Sequence, residues 1–235
     1  MKRIEISLNA IGSCRFASRP KSYARRRFSP AGLSKVEIVV LIPESTRKRR
    51  GGSPDAKAID AIADALPASV REKLDVLRRQ VVAKSPSGSI ESSGALPAHE
   101  RFDGNMYRYI PPDAWANRAA AVEVVIASGL RGLVASKDSI PAYDHSMAEP
   151  MLPFGKLNRW WHDRGLPGIL SAYLRAVRPA TVVDLLSLEY RESVIGYAKD
   201  LGGVAVKTID FPGLGRASQP RRGEMVAEIL RTSQV

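Results

Sequence analysis

Cysteine is nearly missing from this chain: Cys14 is the one thiol in 235 residues. An intrachain disulfide is therefore excluded, and nothing points to secretion. Histidine is almost as scarce. His99, His145 and His162 are not spaced as a helical pair, and without clustered thiol or imidazole ligands no metal site is expected. No motif identifies a cofactor. Long hydrophobic runs are missing as well, since none approaches the ~20 residues of a membrane-spanning helix. That predicts a soluble, cytoplasmic protein with no membrane partner.

Acids are scarce at one end only. Residues 1–35 hold nine Lys or Arg against a single acid, Glu5, and account for most of a net charge of +12. Such a segment predicts a basic, mobile extension: an arm for nucleic acid, a transit-like leader, or a solvated tail. The rest, residues 36–235, has ordinary hydrophobic and charged content and a length suited to a single α/β domain. A basic surface favours polyanions, chiefly through phosphate contacts that carry no sequence information.

What is present is an alternation of buried-strand runs with helical segments. Val36–Leu41, the run at Val124-Val125-Ile126, Thr181–Leu186 and Gly203–Ile209 read as strands. Between them, Ser53-Pro54 reads as the start of a helix, with Ile59, Ile62, Ala63 and Leu66 on one face. A second amphipathic helix turns Val70, Leu74, Leu77 and Val81 inward, and residues 85–98 form a loop. A long helical segment, Asn158–Val177, is broken near Gly165-Leu166-Pro167-Gly168, and an apolar helix covers Met225–Leu230. This pattern predicts an α/β fold with a mixed or largely parallel sheet flanked by helices.

Chemistry-bearing residues gather at strand ends. After the first strand come Ser45, then Arg47, Lys48, Arg49 and Arg50, a cationic loop suited to a phosphate although it lacks Walker spacing. The central strand delivers Ser128 and Gly129, followed by Asp138, Tyr143, Asp144 and His145. With Asp103, Ser187 and Glu189 these form a candidate pocket, in which Ser128, Asp138 and Glu189 are the acid–base candidates. No nucleophile–base pair is visible in the spacing. Capping or ion pairing is the plainer reading of Asp138 and Glu189. Core packing is the plainer reading of Tyr143, Met147, Trp160 and Trp161, and a surface position that of His145. Leu166-Pro167-Gly168-Ile169 partly matches the hairpin of a helix-hairpin-helix, with Arg159 and Arg164 beside it and Arg222 near the end as further phosphate contacts.

From Val36 onward the chain resembles the peroxide-stress protein YaaA family. The likeness rests on five blocks in the family's order. They are Ile42-Pro43-Glu44-Ser45-Thr46-Arg47-Lys48; Phe102-Asp103-Gly104-Asn105-Met106-Tyr107; Ser128-Gly129-Leu130-Arg131-Gly132-Leu133 through Asp138, Pro141, Tyr143 and Met147; Trp161 followed by Asp184-Leu185-Leu186-Ser187-Leu188-Glu189-Tyr190; and Arg222-Gly223 with Met225. Three positions depart from the family pattern: Arg131 stands in place of tyrosine, Asp184 of asparagine, and Glu44 of alanine or cysteine. The resemblance implies a compact α/β fold with a helix-hairpin-helix-like element, DNA binding, and protection against peroxide damage. The expectation is thus a protein that binds nucleic acid, double-stranded DNA above all. The rival is an enzyme acting on a nucleobase or nucleotide in the Ser128–Asp138 pocket.

Overall fold

A computed structural model describes residues 35–235 apart from Ala56, Ser92 and Ser93. The predicted basic extension therefore lies, save for Lys35, outside the described residues.

Five strands form the main sheet: β1 (Ile38–Pro43), β2 (Val122–Ser128), β3 (Gly132–Ala135), β4 (Thr181–Asp184) and β5 (Ala205–Thr208). Their spatial order is β3-β2-β1-β4-β5. All neighbours run parallel except β3, which is antiparallel to β2. The sheet is α/β and largely parallel, as the alternation of elements predicts. β1 is buried at all six positions, as expected for a strand flanked on both edges and covered on both faces. Its register places Ile38 beside Val122 and Thr181.

The β2–β3 hairpin departs from the sequence reading, which left Gly129–Leu133 as a loop. Three residues separate the strands, and Ser128 pairs with Gly132. Gly132 has φ +72°, and a Cβ there would lie 2.9 Å from the Trp161 ring. Only glycine allows both the backbone angle and the indole contact.

The helices are α1 (Ala61–Ala65), α2 (Ala68–Lys84), α3 (Leu157–Asp163), α4 (Leu166–Val177) and α5 (Ser218–Thr232), with shorter turns of helix at Ala98–Arg101, Asn105–Arg108, Pro112–Ala116 and Leu188–Glu192. α1 begins later than predicted. Asp60, not Ser53, is its N-cap, accepting the Ala63 N–H at 3.2 Å. Ser53 instead forms an antiparallel bridge with Ala95, and Gly52 and Gly94 lie backbone to backbone there: a Cβ on Gly94 would sit 2.6 Å from the Gly52 carbonyl carbon.

α2 buries Leu74, Leu77 and Val81, and among them one cation, Arg78. Its guanidinium donates to Asp60 and to the carbonyls of Arg131 and Leu133 at 2.9 Å each, which ties the hairpin to the helix. α3 and α4 are joined by Arg164-Gly165 alone, with Gly165 at φ +94°. This pair of helices stands where the hairpin element was expected. No helix among the described residues is long and apolar enough to cross a membrane.

β1 connects onward to β2 on one side, whereas β4 connects to β5 on the other. The chain therefore reverses its winding between β1 and β4. Crevices outside the carboxyl ends of strands at such a switch point are where open α/β sheets take ligands.

Candidate functional site

An open cleft of about 890 Å³ lies at that edge. Its floor is Pro43 and Glu44 from the end of β1, and its walls include Ser45, Arg47, Asp103, Ser187, Glu189 and Arg222. Two tight backbone approaches shape it. A Cβ on Gly104 would lie 2.0 Å from Ser45 Oγ, and one on Gly223 would lie 2.3 Å from the Met106 carbonyl oxygen, so α5 presses against Asn105–Arg108. Arg222 is buried by that packing. It donates to the Leu185 carbonyl at 3.0 Å and to Ser218 Oγ at 2.7 Å, with its guanidinium 5.1 Å from the Phe211 ring.

Beneath the cleft floor sits a buried polar network that the sequence reading did not assemble. The side chain of Glu44 is fully buried and paired with Lys48 Nζ at 3.8 Å. Its Oε1 accepts the N–H groups of Gly129 at 2.8 Å and Met147 at 2.7 Å. Its Oε2 accepts the hydroxyl of Tyr143 in a very short contact. Because the Tyr143 proton goes to Glu44, the 2.8 Å contact with Ser128 is a donation from Ser128, whose Oγ in turn accepts the Arg131 N–H. Lys48 donates to the His145 carbonyl at 2.8 Å and lies 4.0 Å above the Tyr143 ring. Burial pushes Glu44 up and Lys48 down from their ordinary values, and each pulls the other back. Burial also holds the Tyr143 hydroxyl protonated, far above its usual range.

Gly129 is required by this arrangement. A Cβ there would sit 2.7 Å from the Met147 nitrogen and 3.2 Å from the Glu44 carboxylate. Trp161 closes the other side by donating to the Gly129 carbonyl at 2.9 Å.

The predicted pocket residues thus separate. Ser45, Arg47, Asp103, Ser187, Glu189 and Arg222 line the cleft; Ser128, Gly129 and Tyr143 belong to the buried network. Asp138 joins neither. One of its carboxylate oxygens accepts the Ala61 N–H at 2.6 Å and the other the Ala135 N–H at 2.8 Å, so it caps α1 and the end of β3. Burial raises its pKa to about 6. Ser128 and Asp138 do not share a pocket: Ser128 is held by Tyr143 and the Arg131 N–H, and Asp138 by the N–H groups of Ala61 and Ala135.

The cationic loop divides in the same way. Arg47 and Arg49 face outward, Lys48 faces the interior, and Arg50 pairs with Asp144 at 2.6 Å on the surface. His145 is not a surface residue: it is 8% exposed, neither ring nitrogen has a hydrogen-bond partner among the described residues, and burial, with Lys48 beside it, lowers its pKa to about 4. Arg159 and Arg164 are exposed on α3 and just after it, and nothing lies within 4 Å of where a Cβ on Gly168 would stand.

Glu44 was legible in sequence only as a departure from a family pattern. Its four-residue spacing to Lys48 was the available signal. Arg108 and Arg216, which also line the cleft, carried none.

Fold and crevice together define an α/β protein with an arginine-rimmed site at the carboxyl edge of a parallel sheet. The family model for peroxide stress protein YaaA matches residues 54–233, and the chain belongs to that family. A UPF0246 protein of Streptomyces coelicolor is 33% identical over 121 residues, which span 50% of this chain and 43% of that relative.

Proposed function

We propose that this member of the peroxide-stress family acts in the cytoplasm by binding nucleic acid, double-stranded DNA above all. The observation that carries the reading is the set of outward cations around an open cleft. Arg47, Arg49 and Arg216 surround its mouth and the ridge beside it, and Arg49 and Arg216 have no ion pair among the described residues. Arg159, Arg164 and the exposed Gly168 in the first turn of α4 supply further phosphate contacts, since helix N-termini present free N–H groups.

The reading predicts that duplex affinity falls steeply with salt. Arg47→Ala and Arg164→Ala should each lower the slope of log affinity against log salt by about one. Salt-insensitive or absent binding overturns it.

A second reading, an enzyme acting on a nucleobase, is favoured by one feature. The buried Glu44 carboxylate lies beneath the cleft floor and is linked through Tyr143 to Ser128. Of the three acid–base candidates from the sequence, only Glu189 lines the same cleft. Glu189→Gln and Glu44→Gln should then abolish turnover of a nucleoside substrate, and activity retained in both rejects the site.

A further inference from the structure

Beside the main cleft lies a second one of about 600 Å³, lined by Arg49, His99, Trp115 and Lys137 among others. Asp103 and Arg108 line both cavities and form the ridge between them. The ridge is held by the backbone. Asp103 N donates to the Arg47 carbonyl at 3.0 Å, Arg49 N donates to the Arg101 carbonyl at 2.8 Å, and Lys48 bridges to Phe102. Side chains along an extended segment alternate between faces. Lys48 therefore points into the core while Arg47 and Arg49 point out, one on each cavity, two residues or roughly 6–7 Å apart along the chain.

Asp103 organises the guanidinium groups on that ridge. Its Oδ2 lies 3.5 Å from Arg47 Nε and its Oδ1 lies 3.5 Å from Arg108 Nε. One carboxylate between two guanidiniums leaves the ridge net positive, with the outer nitrogens of both side chains free to take a phosphate.

The second cleft carries an aromatic pair, Trp115 and His99. Trp115 is partly buried and packs on His99 with ring centroids 5.0 Å apart. His99 is fixed by Nδ1–H donation to the Ser136 carbonyl at 2.7 Å, and burial keeps its ring neutral near pH 7. The rim cations Arg49 and Lys137 have no ion pair among the described residues; of the two acids lining this cleft, Asp103 lies between Arg47 and Arg108, and Glu100 lies 3.7 Å from His99. An aromatic face flanked by free cations suits a single strand, whose bases are available to stack while its backbone is held electrostatically.

We propose that a single-stranded tract of DNA crosses this ridge, with a phosphate on Arg47 and Arg108, and stacks the next base on Trp115 in the second cleft. This rests on the nucleic-acid reading above. It assigns Trp115 a binding role, and Asp103 the role of positioning the two arginines.

The test compares a short fluorescent oligo(dT) with a duplex of equal length on the full-length protein. Wild type should bind both, the duplex more tightly, and binding of the single strand should quench tryptophan emission. Trp115→Ala should weaken oligo(dT) binding about ten-fold while duplex binding changes less than two-fold. Trp115→Phe should keep most of the affinity and lose the quenching. Lys137→Glu, at an exposed position, keeps the proposal testable should the Trp115 variants misfold, and should also weaken the single strand selectively. Asp103→Asn should weaken it too, with Arg47→Ala having no additional effect in that background. Unchanged oligo(dT) binding in folded Trp115→Ala, or in Lys137→Glu, overturns the proposal while leaving duplex binding intact. Failure of wild type to bind either nucleic acid overturns the underlying reading as well.

Discussion

The segment Glu44–Arg50 supplies two regions of opposite character from neighbouring positions. Glu44 and Lys48 face inward and build a dry network with Tyr143 and Ser128; Arg47 and Arg49 face outward onto open clefts. Both regions are polar. In the buried one, each charge must have partners, because an unpaired ion in the interior is far costlier than the pair is beneficial. In the exposed one, charges can stand unpaired, as Arg49 does among the described residues, and remain available to a ligand. Location, rather than residue type, decides whether a cation here holds the fold or meets a partner.

The largest expected effect breaks the buried half. Glu44→Ala leaves Lys48 without its counterion and strands the Gly129 and Met147 N–H groups, so urea denaturation should show a loss of about 3–5 kcal/mol. A loss near zero would mean that water enters and the network is not dry.

Next in size is a pH effect at a second buried acid, Asp138. The folded-state pKa of Asp138 is raised to about 6, so the native state binds its proton more tightly than the unfolded chain does. Raising the pH through about 4 to 6 should remove about 2–3 kcal/mol through this group, and Asp138→Asn should abolish that component. His145 acts with the opposite sign in the same window, its lowered pKa costing stability on acidification. That term is common to wild type and variant, so the difference between their stability–pH curves isolates Asp138.

Gly129→Ala tests the close approach itself. Its Cβ would meet backbone rather than a flexible side chain, and the expected loss is about 1–3 kcal/mol with weakened contacts between Glu44 and Met147. The smallest effect belongs to the surface. Arg50→Ala removes an exposed pair with Asp144 and should change stability by less than about 1 kcal/mol. A larger change there would erase the contrast between the two halves.

The three departures from the YaaA pattern sharpen the same contrast. Each introduces a charge, and each charge has an opposite partner: Glu44 with Lys48 at 3.8 Å, Asp184 with Arg191 at 3.1 Å, and Arg131 with Asp60 at 3.4 Å. Asp184 also accepts the Leu186 N–H at 2.9 Å, holding the turn that carries Ser187 and Glu189 to the cleft. In sequence these positions stood out only as departures from the family pattern; in the structure all three are integrated into ion pairs.

Strand runs such as Ile38–Pro43 and Thr181–Asp184 were legible because a strand buried on both faces leaves a continuous apolar, β-branched signature. The break between α3 and α4 was legible because glycine and proline mark it locally. The edge strand β5 also followed from β propensity, although all four of its residues are exposed. The site was less legible. Its cleft residues were named from strand ends, but Asp138 was joined to Ser128 only by proximity in the chain, and His145 was placed on the surface because nothing local to it is apolar enough to signal burial.

By itself, then, the sequence determined the principal buried strands and the longer helices, the α/β class, the family and the excess of positive charge, because each is written in short-range patterns or composition. Tertiary structure alone decided which charges turn inward. Glu44 meets Met147 across 103 positions and Lys48 meets His145 across 97. No local period encodes burial of that kind; it arises when two distant loops close on each other and leave a carboxylate and an ammonium to be satisfied by one another, the backbone and the Tyr143 side chain.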